Sequence, residues 1–144
     1  MSIYSIYIIN KSGGLIFSRA EYLPGASLSS NDKLRLASTF HGLTAIATQI
    51  APTKNSQGIS YVLADTIALH SYRTPTGRKC FWFLIEGIKF LIVSKPSILS
   101  LDTILDEIYT LFADYVMKNP FYELEMPIRC VLFEEKLDAL INSR

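Results

Sequence analysis

Charge, cysteine and histidine are all scarce in this 144-residue chain, and each shortage closes off a class of function. Only 19% of residues are charged, and 14 Lys and Arg offset 13 Asp and Glu without forming a basic stripe. That excludes a nucleic-acid surface, which needs clustered cations to release counterions from phosphate. The two cysteines, Cys80 and Cys130, provide neither a disulfide framework nor metal-ligand spacing, and read as reduced, small apolar residues of a cytosolic protein. His41 and His70 lack a third partner at a useful spacing, so each reads as a packed structural histidine, with no metal and no cofactor expected. No long hydrophobic run is present either. The longest apolar tract, residues 80–93, is interrupted by Glu86 and Lys89 and is too short to span a bilayer. Residues 1–9 have no basic n-region or small-residue cleavage site, and read as a strand instead of a signal peptide. Membrane association is therefore expected to be peripheral.

Apolar residues make up 49% of the chain, including eight Phe and eight Tyr, enough for one domain over residues 1–144 with a substantial core. Such a charge-poor composition has two readings: a dense core, or faces buried against partner subunits. Ile and Tyr fill residues 3–9, and Leu15 to Ser18 resume the β composition. Between them Asn10, Lys11, Ser12, Gly13 and Gly14 supply turn chemistry, which predicts a β-hairpin. Ser29 with Asp32 three residues on reads as a capping box for a helix over 31–50 that stops before Pro52. Leu36, Phe40, Leu43, Ala47 and Ile50 recur at helical spacing and are expected to form its buried stripe. Strands are predicted over 59–63 and 67–72. Residues 79–85 and 88–93 read as strands buried on both faces. A helix from about 101 ends at Asn119-Pro120, and a last one covers about 130–141. With residues 79–85 set aside, the order β-β-α-β-β-β-α-α describes an α+β domain with a meander sheet.

Catalytic constellations are missing from the pattern. Asp106-Glu107, Glu123, Glu125 and Glu134-Glu135 offer no carboxylate pair facing a cleft, and read as solvated faces. Lys11-Ser12-Gly13-Gly14 superficially resembles a phosphate loop, but lacks the required glycine spacing and precedes a strand.

The residues that stand out are Lys118-Asn119-Pro120-Phe121-Tyr122-Glu123-Leu124-Glu125-Met126-Pro127-Ile128-Arg129-Cys130. Two prolines stiffen the backbone and bias Asn119 and Met126 toward extended conformations. A solvated tether would be richer in Gly, Ser and Asp. The run either seals the base of the two C-terminal helices through Phe121, Leu124 and Ile128, or presents a preorganised contact surface through Tyr122, Glu123, Met126 and Arg129.

This run resembles the C-terminal signature of the synbindin family, small core subunits of the TRAPP vesicle-tethering complex. Three further segments agree in family order: Tyr7 to Ile16 with the opening hairpin, Asn31 to His41 with the first helix, and Ile108 to Lys118 with the second. The resemblance implies a longin-like fold: a five-stranded antiparallel sheet with one helix on one face and two on the other. It implies a non-catalytic subunit of an assembly that acts as a guanine-nucleotide exchange factor on a Rab-family GTPase in transport from endoplasmic reticulum to Golgi. The partners implied are other small TRAPP subunits and the GTPase, with attachment to Golgi and endoplasmic reticulum membranes only through the complex. The contact residues expected are the turn, Lys11, Ser12, Gly13 and Gly14, together with Asn119, Pro120, Phe121, Tyr122, Glu123, Met126, Pro127 and Arg129.

The chain departs from the family pattern twice. Animal synbindins carry a PDZ-like insertion after the hairpin, where only residues 22–31 bridge the gap here. Residues 78–87 are additional, and either add a sixth strand or displace the last one. A longin-type scaffold or adaptor chain without an exchange role is the alternative function. Met126-Pro127-Ile128-Arg129-Cys130 argues against it, because those families do not share the run. A small hydrolase has no convergent site to support it.

Overall fold

The computed structural model describes residues 3–10, 12–19, 29–52, 59, 61–63, 68–73, 88–94, 101–123 and 126–143. Five strands, β1 (Ile3–Ile9), β2 (Leu15–Arg19), β3 (Tyr61–Leu63), β4 (Ala68–Arg73) and β5 (Lys89–Ser94), form one sheet in the order β2-β1-β5-β4-β3. Every neighbouring pair is antiparallel. The sheet is not the continuous meander expected. β5 returns to lie beside β1, so a hairpin and a three-stranded meander meet at the centre of the sheet. The additional segment 78–87, the apolar run 79–85 and Cys80 lie outside the described residues, as does Lys11.

Both faces of the sheet are covered, which explains why the central strands read as unbroken apolar runs. Strand alternation divides them. Ile6, Ile8, Phe90 and Ile92 point to one face; Tyr7, Ile9, Leu91 and Val93 point to the other. The first set packs on α2 (Asp102–Leu111), the π-helical segment that continues it (Phe112–Met117), and α3 (Val131–Asn142). The second set packs on α1 (Ser30–Ile50) through Ala37 and Phe40. One helix on one face and two on the other is the layering that the resemblance implied. Edge-to-face rings knit the two-helix layer. Phe17 meets Phe133 at 5.2 Å, Phe112 meets Phe90 at 5.4 Å, and Phe90 meets Tyr109 at 6.1 Å.

The start of α1 follows the capping reading. The Ser29 hydroxyl accepts from the Asp32 N–H at 3.2 Å and donates to the Asp32 carboxylate at 2.9 Å. Its buried stripe does not. Ala37, Phe40 and Thr44 are the buried residues, while Leu43 is 50% and Ile50 78% exposed. The reason is rotation: the buried face runs through positions 37, 40 and 44, turned from the one that Leu43 and Ile50 share, so Leu43 is exposed while Thr44, the next residue, is buried.

Candidate protein-interaction site

Two segments singled out in the sequence converge on β2. The first is the β1–β2 turn. The Asn10 side-chain oxygen accepts from the Gly14 N–H at 2.7 Å and from the Ser12 hydroxyl at 2.9 Å. The Asn10 N–H donates to Gly14 O at 2.9 Å, and the Gly13 N–H donates to Asn10 O at 3.1 Å. Asn10 thus acts as an internal template for the turn. Gly13 has φ +94°, and a Cβ built there would lie 2.8 Å from His41 Cδ2, so backbone angle and space both demand glycine. His41 Nδ1 in turn stands 2.9 Å from Lys89 Nζ, and Lys89 is buried.

The second is the proline-bracketed run. Pro120 occupies the second position of a turn closed by the Tyr122 N–H donating to Asn119 O at 3.2 Å. The Asn119 side-chain oxygen accepts from the Phe121 N–H at 3.0 Å. The Tyr122 hydroxyl donates to Met126 O at 2.9 Å, and partial burial pushes its pKa above the ordinary tyrosine value. Ile128 is buried, and its N–H donates to Ile16 O at 2.8 Å, tying the run to β2. Arg19 on β2 pairs with Asp138 on α3 at 2.6 Å, a second tie on the same strand. Where the run enters α3, the Cys130 thiol reaches Tyr115 O at 3.7 Å.

Between the run and the π-helical segment lies an open groove of about 330 Å³ lined by Val116, Tyr122, Met126 and Cys130. Phe121 stands beside it 88% exposed, with Met126, Val131 and Leu132 also exposed. Pro120, Glu123, Pro127 and Arg129 are exposed as well, whereas Asn119 and Tyr122 are half-buried. A single segment therefore carries an inward anchor and an outward apolar face. Leu124 and Glu125 lie outside the described residues.

Sequence reasoning missed two exposed apolar features. Leu43, Ile46 and Ile50 line one outer face of α1, and β3, an edge strand, exposes Tyr61, Val62 and Leu63. Helical spacing marks Leu43 and Ile50 as one stripe but cannot say whether a sheet lies beneath it. His70 is buried on β4 with its ring 4.8 Å from that of Tyr61. Among the described residues no three or more His, Cys, Asp or Glu side chains converge, and no helix is long and apolar enough to cross a membrane. The geometry is suited to burying apolar surface against another protein.

The comparisons bear on which family this architecture serves. "Trafficking protein particle complex subunit 4" of Dictyostelium discoideum is 41% identical over 145 positions, covering 100% of this chain and 99% of that protein. The Homo sapiens protein of the same name is 46% identical over 115 positions, covering 80% of this chain. The matched region is 48% of that relative, so the chain spans about half its length. "Trafficking protein particle complex subunit 1" of Dictyostelium discoideum is 31% identical over 142 positions, covering 97% and 94% of the two chains. The sequence pattern of the Sybindin-like family runs through residues 3–144, taking in the hairpin, the helices and the proline-bracketed run alike, and the chain belongs to that family.

Proposed function

We propose that this chain is a non-catalytic subunit of a trafficking protein particle complex, and that within the assembly it helps form the surface that exchanges guanine nucleotide on a Rab-family GTPase. The observation that carries the reading is the placement of exposed apolar surface. Tyr61, Val62 and Leu63 lie at one edge of the sheet, while the run tied to β2, with Phe121, Met126, Val131 and Leu132, lies at the other. Exposed apolar residues gathered on rigid elements are a mark of protein contacts. Relatives that bear the names of complex subunits support the same reading. Exchange needs no acid–base residue. A surface that binds the nucleotide-free GTPase more tightly than the nucleotide-bound form shifts the equilibrium toward release. The β1–β2 turn and residues Asn119 to Arg129 are the proposed contacts. Attachment to membranes of the endoplasmic reticulum and Golgi then comes through the complex.

Affinity purification of the tagged chain from its native cell, followed by mass spectrometry, should recover other small complex subunits. Recovery of clathrin-adaptor large chains in their place favours an adaptor-type scaffold. In a reconstituted complex, release of labelled GDP should slow when this chain is left out. Release at an unchanged rate rejects its part in exchange.

A further inference from the structure

The groove between the proline-bracketed run and the π-helical segment is bounded by hydrogen bonds that fix its wall. The Tyr122 hydroxyl donates to Met126 O at 2.9 Å, and the Met126 N–H donates to Glu123 O at 3.3 Å. The Ile128 N–H donates to Ile16 O at 2.8 Å, and Pro120 and Pro127 restrict the backbone at either end. The floor is apolar: Val116 is 1% and Ile128 5% exposed. A pocket preorganised in this way has little ordering left to lose when it is filled.

Size and lining restrict what fills it. At about 330 Å³ it stands at the low end of the roughly 300–1,000 Å³ range of ligand pockets, with room for one large side chain and too little for a helix. Tyr122 and Met126 both line it, and a thioether packs favourably against an aromatic ring. Among the described lining residues Arg129 alone is charged. It is exposed and has no ion pair among the described residues, whereas Lys118, at the start of the run, is matched by Asp114 at 3.1 Å. An unmatched guanidinium beside an apolar pocket complements a carboxylate, and its planar fork takes both oxygens.

We propose that the groove receives an aromatic side chain of a protein partner, and that an Asp or Glu next to that side chain in the partner pairs with Arg129. The inference rests on the reading of the run as a protein contact, and names the chemistry that the contact selects. The apolar pocket supplies the anchor, and the charge pair at its rim supplies the choice between partners.

Two measurements test it separately. The first needs no partner: nuclear magnetic resonance titration of the full chain with 3-phenylpropionate and with its uncharged counterpart, 3-phenylpropionamide. The amides of Tyr122, Ile128, Arg129 and Cys130 should move with both probes, and the carboxylate should bind about 3- to 10-fold more tightly than the amide. Arg129→Gln should bring the two probes to equal affinity. Unmoved amides, equal affinity of the two probes for the unsubstituted chain, or a carboxylate preference that survives Arg129→Gln overturns the proposal.

The second reads the complex, by biolayer interferometry of the full chain against its purified small subunits and the GTPase at low and high salt. Arg129→Gln should bind about tenfold more weakly at low salt and lose most of the salt dependence. Partner affinity and salt dependence that Arg129→Gln leaves unchanged overturn the partner's place in the groove, even where the probes bind as expected. No binding of subunits or GTPase to the unsubstituted chain rejects the contact reading, and the inference with it. Self-association of the chain that Arg129→Gln abolishes places a second copy in the groove and equally overturns the proposal.

Discussion

Phe121→Ala and Ile128→Ala, seven positions apart in one run, should behave oppositely. Phe121 is 88% exposed, so truncating it removes little buried contact, and the stability of the isolated chain should change by no more than about 0.5 kcal/mol. Ile128 is 5% exposed and sits in the two-helix core, so its truncation should cost about 2–5 kcal/mol, even though its N–H bond to Ile16 O is a main-chain contact that survives. Partner affinity should reverse the ranking. Covering a Phe side chain on assembly contributes about 1.5–3 kcal/mol, or roughly a 10- to 150-fold change in Kd when it is removed. Urea denaturation of each variant gives the first quantity. Biolayer interferometry of the folded variants against purified small subunits of the complex gives the second. A Phe121→Ala chain that loses more than about 1 kcal/mol of stability, or binds its partners within twofold of the unsubstituted chain, refutes the division of the run into anchor and contact face.

Three further outcomes follow from the same packing. Gly13→Ala should destabilise by about 1–3 kcal/mol, since it adds a strained left-handed residue and a contact 2.8 Å from His41; chemical denaturation measures it. Phe133→Ala should cost about 3–5 kcal/mol, because this fully buried ring meets both Phe17 and Phe112 edge-on; a fall in Tm checks it. Tyr122 should ionise later than an unfolded tyrosine. Its pKa is raised, so the folded state keeps the proton longer, and the stabilisation it contributes is present below about pH 10 and lost as pH climbs past the unfolded value. The difference in alkaline denaturation between the unsubstituted chain and Tyr122→Phe reports it.

Local chemistry was readable wherever neighbours in sequence are neighbours in space. The Ser29–Asp32 cap, the Asn10-to-Gly14 turn and the stop at Asn119-Pro120 depend on contacts across a few residues, so composition and spacing specify them. The burial of β5 on both faces was equally plain, because a strand without polar alternation has nowhere to place a wet face. The stripe on α1 was misread in part. Periodicity marks an apolar stripe but not which side of it the sheet covers, so Leu43 and Ile50 passed for core while Ala37 and Thr44, on the neighbouring face, are buried. The π-helical continuation of α2 had no sequence signal, as the run 112–117 contains neither proline nor glycine.

The amino-acid sequence by itself determined the family and, among the described residues, the strands and the starts of the helices, since these rest on residue identity and short-range spacing. Tertiary structure alone decided three things. It placed β5 against β1, a pairing set by long-range burial on both sheet faces. It brought His41, Lys89 and Gly13 together from three separate elements. It also split residues 119–130 into a buried Ile128 bonded to Ile16 on β2 and an outward Phe121 held in the turn at Asn119. Whether an apolar residue is core or contact is a property of what packs over it, and that is settled only when distant parts of the chain meet.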